Sequence, residues 1–330
     1  MSREEAARIL EKGHLPGGGQ NPRFMETHIS WVLLSGDYAL KIKKPVRFSF
    51  LDFSTLQLRK QQIEDELRLN RRLALDVYLD VLPVRRSSGG LFIAAEGAGE
   101  VVEYALLMKR LDTDRQMNVL LKQGKVTFAH MEQLAATLAA FHQQARTVHL
   151  PRLVEDLYER YADLKGNLPE VESRIGPKIA GHIEESIAFA ARFLDAHRQR
   201  LLARQEAGWV VDGHGDLHSG NIFLLRQPVV FDCIEFDDSL RILDVLNELA
   251  FFCLDLDYYG RGDLKDHFMA AYLDRHPAIA DEEDVRLFHY FKMYRANVRL
   301  KVNILSGKPG QDDQLKRYAD LLLRYFDYLQ

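Results

Sequence analysis

Residues 212–237 read Asp-Gly-His-Gly-Asp-Leu-His-Ser-Gly-Asn-Ile-Phe-Leu-Leu-Arg-Gln-Pro-Val-Val-Phe-Asp-Cys-Ile-Glu-Phe-Asp, and this stretch decides the fold. It begins as a polar loop and continues as two short apolar segments, Asn221–Leu225 and Val229–Ile234, on either side of Gln227-Pro228. Both segments are too short and too rich in β-branched or aromatic residues for helices, which favours strands. The stretch therefore predicts a β-hairpin that follows a polar loop.

Three polar side chains stand out on this frame: Asp216, Asn221 and Asp232. Because the strands of a hairpin run antiparallel, we expect Asn221 and Asp232 to lie close together. An amide oxygen beside a carboxylate suits a hard cation such as Mg²⁺. Asp216, five residues before Asn221, would then lie at the mouth of the site as a base. The alternative is a polar turn whose Asp and Asn only cap backbone groups.

The composition limits the class of protein. With 330 residues the chain forms one large domain or two coupled lobes. Hydrophobic residues make up 47% of it, so it can bury a substantial core. The net charge of −4 gives no general basic surface, so we expect no nucleic-acid partner.

The sequence also indicates the cellular compartment of the protein. The two cysteines, Cys233 and Cys253, lie in apolar runs, which suits reduced thiols in a cytoplasm better than a disulfide framework. The N-terminus opens with charged residues, without the apolar region of a signal peptide. No apolar run approaches the ~18 residues that span a bilayer. These features predict a soluble, cytoplasmic protein with no membrane partner.

The segment His214–Asn221 resembles the catalytic segment of the aminoglycoside phosphotransferase and choline kinase family, His-Gly-Asp-x-His-x-x-Asn, which has a further Asp on the following strand. Ser219 replaces a frequent Pro, and Cys233-Ile234 replaces the aromatic-Gly or aromatic-Glu that often follows the metal-binding Asp. The resemblance implies that Asp216 is the catalytic residue. It also implies that Asn221 and Asp232 bind Mg²⁺ on ATP.

A lysine-bearing strand is expected upstream. The turn Ser35-Gly36-Asp37 separates the apolar segments Thr27–Leu34 and Tyr38–Lys43. By resemblance to the kinase lysine strand, Ala39 would leave room for adenine and Lys41 would reach the phosphates. The alternative is that Lys41 and its basic neighbours are solvated charges on an edge strand. No Gly-x-Gly-x-x-Gly occurs in this hairpin, so what covers the phosphates stays open.

A helix should follow, because Ser54-Thr55-Leu56-Gln57 reads as a capping box and the helical pattern continues to about Leu73. Glu66 shares a helical face with Ile63 and Asn70. A carboxylate on an apolar face needs a partner, because burying it unpaired is costly. In the resembled fold that partner is the strand lysine, so we predict a Lys41–Glu66 ion pair.

Three further strands, Tyr78–Val84, Leu91–Ala95 and Val101–Met108, would complete an antiparallel sheet of about five strands. The last one runs into Met108, Lys109 and Arg110. In the resembled fold this is the hinge whose backbone holds the adenine edge. Residues 13–23, rich in Gly and Pro, predict a flexible connector.

The rest of the chain is predominantly helical by pattern. Asp244 begins a helix that resembles the support of the catalytic loop, although a carboxylate that only caps the helix is as good an interpretation. In the later helix, Lys292, Arg295 and Arg299 share a face. That face is either solvated, or it forms a cationic wall of an acceptor pocket or contacts Asp255 and Asp257.

The sequence therefore predicts an α+β, bilobal protein-kinase-like fold, with a small antiparallel-sheet N-lobe (1–108) and a larger helical C-lobe (109–330). The stretches at 26–31 and 38–45 resemble an uncharacterised bacterial branch, some members of which continue into a P-loop ATPase domain. No Gly-x-x-x-x-Gly-Lys-Ser/Thr occurs in this sequence, so we expect no such domain here.

The predicted function is transfer of the γ-phosphate of ATP, with Mg²⁺, to a hydroxyl of a small-molecule acceptor. One alternative is a metal-dependent hydrolase that uses His214, Asp216, His218 and Asp232 as ligands. A second is a nucleotide-binding module that lost the chemistry. A third, a protein kinase, is less expected because little room remains for an activation segment between Asp232 and Arg241. The acceptor, any action on antibiotics and the oligomeric state are not specified by the sequence.

Overall fold

The computed structural model describes residues 1–11, 15–16, 22–48, 51–307, 310 and 312–330. Most of the expected connector at 13–23 therefore lies outside the described residues. By contacts the chain forms two compact units. Unit 1 is Met1–Arg115 with Val229–Asp238, and unit 2 is Gln116–Pro228 with Ser239–Gln330. The lobes 1–108 and 109–330 remain a prediction about the functional halves of the chain.

Unit 1 is built on an antiparallel sheet. Its helices are α1 (Arg3–Glu11) and α2 (Leu56–Ala74). Its strands are β1 (Arg23–Glu26), β2 (Ser30–Ser35), β3 (Tyr38–Lys43), β4 (Arg47–Phe48), β5 (Leu51–Asp52), β6 (Tyr78–Ser87), β7 (Gly90–Ile93) and β8 (Glu100–Lys109). Six of them form one sheet in the order β1-β2-β3-β8-β6-β7, while β4 and β5 pair separately. Thr55, rather than Ser54, caps α2 by accepting a hydrogen bond from the Leu58 amide.

The position of β3 in this sheet determines how far its lysines are exposed to solvent. It lies between β2 and β8, with Lys41 opposite Val32 on one side and Leu106 on the other. Leu40 and Ile42 belong to a core cluster that also contains residues of α1. Lys43 is completely buried. The interpretation of Lys41 and Lys43 as solvated edge-strand charges is therefore wrong.

Unit 2 is mainly helical. Its first helices are α3 (Met117–Lys122), α4 (Phe128–Gln144), α5 (Leu153–Ala162), α6 (Leu168–Ile175), α7 (Pro177–Ala196) and α8 (Arg198–Glu206). The short elements that follow along the chain are β9 (Val210–Asp212), β10 (Ile222–Leu224), β11 (Pro228–Val230), α9 (Asp238–Arg241) and β12 (Ile242–Asp244); Val229 and Val230 of β11 and Asp238 of α9 belong to unit 1. The last helices of unit 2 are α10 (Val245–Tyr258), α11 (Gly262–Arg275), α12 (Glu282–Leu305) and α13 (Asp312–Leu329). No helix in the described ranges has the length and apolar character needed to cross a bilayer.

The helix α10 forms the centre of unit 2. Every residue from Val245 to Leu256 is buried, which fits a helix that is apolar on nearly all sides. Strand β12 leads directly into it and pairs antiparallel with β9, so that Ile242 lies opposite Asp212. The polar loop 213–221 leaves the end of β9. This pairing therefore places the loop beside the first turns of α10.

The second strand of the expected hairpin is shorter than predicted. β11 ends at Val230, so Asp232 lies two residues beyond the strand rather than within it. Asp232 has φ 62°, the only positive φ of a non-glycine residue in the described ranges. A left-handed residue cannot continue a strand, which explains the early end.

Asp244 caps α10 and does not support the loop. Its carboxylate accepts from the Leu246 amide at 2.8 Å and from Arg204 at 2.7 and 2.9 Å. Arg204 also contacts Asp284 at 3.0 Å and donates to the Ala278 carbonyl. All three charged side chains are buried.

Replacing this buried guanidinium should destabilise the protein strongly. Arg204→Met leaves the buried Asp244 without a cation, while Asp284 keeps its ion pair with Arg200. Because an unpaired buried charge is costly, we expect a loss of about 3–5 kcal/mol in the free energy of unfolding. Urea denaturation measures it. Arg152→Met, which removes an exposed ion pair with Glu159, is the control and should cost less than about 1 kcal/mol. Equal losses in the two variants would contradict the assignment.

Candidate active site

The predicted ion pair is present in unit 1. Lys41 Nζ lies 2.7 Å from Glu66 Oε1 and 3.5 Å from Asp232 Oδ1. Glu66 is fully buried, whereas 16% of the Lys41 side chain is exposed. Lys41 therefore joins a buried helix carboxylate to the carboxylate that the sequence analysis assigned to a metal.

A second lysine on the same strand face extends this cluster. Lys43 Nζ lies 2.6 Å from Glu66 Oε2 and donates to Glu235 Oε1 at 2.6 Å. Each oxygen of Glu66 thus faces its own ammonium group. Lys43 and Glu235 were not among the predicted site residues, although strand alternation places Lys43 on the face of Lys41. Lys43 ties β3 to the segment that carries Asp232.

The charges of the cluster do not cancel. Two ammonium groups face three carboxylates, Glu66, Asp232 and Glu235, which leaves one negative charge. Burial opposes ionisation of Glu66, but the two lysines hold its pKa well below the usual range. Burial and the nearby Glu66 raise the pKa of Glu235. Asp232 is the half-exposed carboxylate, with 47% of its side chain accessible.

The backbone around Asp232 is also held. The Asp232 amide donates to the Tyr78 hydroxyl at 3.2 Å, and the Cys233 amide donates to Asn70 Oδ1 at 2.8 Å. A non-glycine residue with left-handed backbone angles, such as Asp232, is strained and persists only where surrounding contacts hold it. Such residues cluster at functional sites. The local backbone thus projects the Asp232 carboxylate towards solvent while its amides stay satisfied.

The expected hinge has two of its amides already engaged. The Lys109 amide donates to the Val77 carbonyl at 2.8 Å, and the Arg110 amide donates to the Asp37 carbonyl at 2.7 Å. Met108 lies opposite Ala39 in the ladder between β3 and β8. An adenine contact by this segment would therefore use carbonyl oxygens, or would first require these two bonds to open.

In unit 2 the polar loop is fixed by Glu248, which the sequence analysis missed. Glu248 Oε1 accepts from the amides of His214 and Gly215 at 2.8 and 2.7 Å. A Cβ on Gly213 would come within 2.6 Å of Glu248 Oε2, so only glycine allows this approach. Gly215 has φ 86°, which favours glycine for a second reason.

A buried chain of hydrogen bonds supports Glu248 from behind. His142 Nε2 lies 2.8 Å from Glu248 Oε2, and His142 Nδ1 lies 2.7 Å from the Tyr272 hydroxyl. Burial opposes ionisation, but the hydrogen bonds from His142 and the loop amides lower the pKa of Glu248 to about 2. Because the ionised Glu248 only accepts, His142 donates to it through Nε2.

Asp216 and Asn221 lie together at the far end of the loop. Asn221 Nδ2 donates to the Asp216 carbonyl at 3.0 Å and to Asp216 Oδ2 at 2.9 Å. Both partners are acceptors, which fixes the orientation of the amide and turns Asn221 Oδ1 to the opposite side. Asn221 is in unit 2 and Asp232 in unit 1, so their shared metal site stays a prediction.

His218 completes this end of the loop. Its Nε2 lies 3.4 Å from Asp216 Oδ2, and its Nδ1 accepts the Gly220 amide at 3.0 Å. Burial opposes ionisation of Asp216, yet its imidazole neighbour His218 holds the pKa of this carboxyl well below the usual range. Both side-chain contacts use Oδ2, and about a third of the Asp216 side chain is exposed.

The three basic residues of α12 have different positions, so the prediction for them is largely wrong. Lys292 is buried against Asp257 at 2.7 Å, one of the contacts considered for this face. Arg295 is also buried, and it donates to Asn247 Oδ1 at 2.6 Å and to the Gly215 carbonyl at 3.0 Å. Other helices cover this side of α12, so neither residue forms a pocket wall. Arg299 lines a cavity.

Asp255 holds the second half of the loop. Its Oδ2 accepts from the Ser219 amide at 2.8 Å. Glu248 and Asp255 are seven residues apart, which places them on one face of α10. Two carboxylates at this spacing in an otherwise apolar helix were the available signal, since a buried carboxylate needs a partner. Together they accept three amide protons of the loop.

The hydrolase alternative is not favoured. No group of three or more His, Cys, Asp or Glu side chains in the described residues is arranged to hold a metal ion. His214 Nδ1 accepts the Asp216 amide, and His218 Nδ1 accepts the Gly220 amide. The imidazoles thus organise the loop.

Comparison with known families agrees with this geometry. The model of the phosphotransferase enzyme family matches residues 35–288, so the chain belongs to this family. The match includes the lysine strand, the loop 213–221 and α10. It confirms the resemblance stated from the sequence.

Close relatives add no assigned activity. The uncharacterised protein Rv2004c of Mycobacterium tuberculosis (strain H37Rv) is 33% identical over 292 residues, which are 86% of this chain. The uncharacterised protein Mb2027c of Mycobacterium bovis matches to the same extent. The chain spans 55% of the length of these relatives.

Solved structures confirm the fold class, α+β and protein-kinase-like. A choline kinase from Cryptosporidium parvum Iowa II has a TM-score of 0.62 at 12% identity, over 99% of this chain and 96% of its own. A choline/ethanolamine kinase family protein from Mesorhizobium loti has 0.52 at 14%, over 100% and 95%. The GDP and kanamycin complex of APH(2")-IIia has 0.51 at 11%, over 98% of both chains.

The two lysines of β3 should differ in their effect on stability. Lys43→Met leaves Glu66 with one cation and Glu235 buried without one, so we expect a loss of about 3–5 kcal/mol in the free energy of unfolding. Lys41→Met should cost less, since Lys41 is partly exposed and Glu66 keeps Lys43. Urea denaturation compares the variants. The exposed Lys178→Met is the control, and a larger loss for Lys41→Met than for Lys43→Met would refute the ranking.

The contribution of Glu248 should depend on pH. Its pKa falls from the ordinary 4.5 to about 2 in the folded protein, so its stabilisation is present above about pH 4.5 and is lost as pH falls towards 2. Glu248→Gln should therefore lower the free energy of unfolding by about 2–3 kcal/mol at neutral pH, with a difference that narrows below pH 4.5. Urea denaturation from pH 7 to 3.5 tests this. The exposed Glu172→Gln is the control, and a pH-independent difference for Glu248→Gln would contradict the assignment.

Proposed function

We propose that this protein transfers the γ-phosphate of ATP, with Mg²⁺, to a hydroxyl group of a small-molecule acceptor. The observation that carries the proposal is the fixed loop end, where an ionised Asp216 is oriented by Asn221 and His218. Membership of the phosphotransferase enzyme family supports it. The structural neighbours include a choline kinase and a kanamycin complex, which supports a small acceptor. The same proposal includes a cytoplasmic location, where ATP is available.

Lys41 would bind the phosphates of the nucleotide. Its ammonium group is held by Glu66 and is partly exposed, so it keeps its charge and can still reach a ligand. Lys43 and Glu235 would act as positioning residues, because they fix Glu66 and the segment of Asp232 without being accessible themselves. The segment from Met108 to Arg110 would lie along the adenine.

The residues present fit a magnesium ion. Asn221 Oδ1 is turned away from Asp216, and Asp232 offers a half-exposed carboxylate from a cluster with one excess negative charge. Both are hard oxygen donors, the type that Mg²⁺ prefers. Asn221 and Asp232 would hold the ion, which neutralises charge on the phosphates when bound. Neither ligand is a thiol or an imidazole, so the pair suits Mg²⁺ better than zinc.

Asp216 would orient the acceptor hydroxyl through Oδ1, since Oδ2 is used by Asn221 and His218. The hydroxyl oxygen forms a bond to the γ-phosphorus while the bond from that phosphorus to the β–γ bridging oxygen breaks. ADP leaves with the bridging oxygen, and Asp216 takes the hydroxyl proton. Because its pKa is low, Asp216 contributes mainly by orientation and accepts the proton late.

The two aspartates should have separable roles. Asp216→Asn should leave binding of ATP with Mg²⁺ nearly unchanged while kcat falls by ~10² or more, the scale for losing a positioned base. Asp232→Ala should abolish the Mg²⁺-dependent part of nucleotide binding. Calorimetry with ATP, with and without Mg²⁺, combined with measurement of ADP formation, tests both statements.

The exposed Asp266→Asn is the control for loss of a carboxylate in unit 2, and it should behave as the unaltered protein. Equal loss of nucleotide affinity in Asp216→Asn and Asp232→Ala would mean that both carboxylates bind metal. That result would contradict the separate roles of the two aspartates and would favour the metal-dependent hydrolase alternative.

A further inference from the structure

A polar cavity of about 290 Å³ opens beside the catalytic loop within unit 2. Its wall includes His218, whose ring lies 3.4 Å from Asp216 Oδ2, and Ser219. The volume is at the lower end of the ~300–1,000 Å³ range of ligand pockets. An acceptor held here would therefore be small, and its hydroxyl would lie near Asp216.

The charged side chains of this cavity are mainly cationic. Arg299 and Lys122 line it, against one carboxylate, Asp255. Asp255 is buried, and its Oδ2 is already used by the Ser219 amide at 2.8 Å. The negative charge is thus committed to the loop, whereas the half-buried Arg299 lines the open space.

Two of the three tyrosines that line the cavity, Tyr258 and Tyr318, already have a cation of the chain over their rings. Tyr258 and Tyr318 stack with their ring centroids 4.7 Å apart. Arg299 lies over Tyr318 at 5.3 Å, and Arg317 lies over Tyr258 at 4.5 Å. A quaternary or protonated amine binds by covering such faces. Here two guanidinium groups already do so and would repel a third cation.

We infer that the acceptor carries an anionic group, a phosphate or a carboxylate, which Arg299 and Lys122 bind while its hydroxyl meets Asp216. This inference rests on the proposed function. Arg299 donates through Nε to the Tyr318 hydroxyl at 3.2 Å, which fixes the guanidinium and leaves its two terminal amino groups for the anion. A planar guanidinium held in this way suits bidentate binding of either group.

The first test compares acceptors that differ only in charge: glycerol 3-phosphate, glycerate, glycerol and choline. ADP formation should be faster with one of the two anions than with glycerol by about 10- to 100-fold in kcat/KM, the scale of a charge-assisted hydrogen bond. Choline should be the poorest. Which anion is preferred distinguishes a phosphate site from a carboxylate site.

Two variants test the assigned residue. Arg299→Met should raise the KM of the anionic acceptor without changing the KM of ATP. Lys316→Met removes an exposed charge from the neighbouring helix α13 and should change neither. A preference for glycerol or choline, or an equal KM in Arg299→Met and the unaltered protein, would overturn the inference while leaving the phosphotransferase proposal intact.

If no acceptor in the panel reacts, a binding experiment tests the anion site independently of the phosphotransferase proposal. Calorimetry with inorganic phosphate and with acetate, without nucleotide, should detect binding of at least one anion. Arg299→Met should weaken it and Lys316→Met should not. Absence of binding, or equal affinity in the Arg299 variant, would overturn the anion site. Binding without any ATP-dependent transfer would count against the proposed function alone.

Discussion

The loop that carries Asp216 depends on one buried carboxylate. Glu248 accepts the amides of His214 and Gly215 and is itself bound by His142. Short polar loops otherwise have few ways to satisfy their amides away from water. Glu248 projects from the first turn of α10, which is buried from Val245 to Leu256. The loop is therefore fixed to the core of unit 2. The position of Asp216 follows from that constraint.

Unit 1 also depends on a buried carboxylate, but its partners are lysine side chains instead of loop amides. Glu66 is fully buried on α2, and its two oxygens face Lys41 and Lys43 separately. Removing a carboxylate from water costs several kcal/mol, and close cations offset that cost only when the geometry is good. The pairing thus fixes Lys41 where solvent still reaches it. In each unit a buried acid therefore positions a functional group: Glu66 binds Lys41 directly, and Glu248 holds the loop that carries Asp216.

Residue patterns predicted the loop, β3 and a buried carboxylate at Glu66, whereas the resemblance to the kinase lysine strand supplied Lys41 as its partner. Other features need tertiary information. Asp232 has a positive φ that no residue pattern shows, which is why the predicted strand was too long. The periodicity of α12 places Lys292, Arg295 and Arg299 on one helical face. It does not show that other helices cover Arg295. Glu248 carries the same sequence signal as Glu66, an acid in an apolar helix, so its need for a buried partner is readable from the sequence.

The central claim is that the chain moves a phosphoryl group to an acceptor and not to water. The most direct measurement uses ATP labelled with ¹⁸O at the non-bridging γ oxygens, Mg²⁺ and a mixture of hydroxyl compounds, with mass spectrometry of all products. The account predicts an organic phosphate ester that keeps every labelled oxygen and bridges through the acceptor's own oxygen. Labelled inorganic phosphate with one oxygen from water, and no labelled ester, would contradict it.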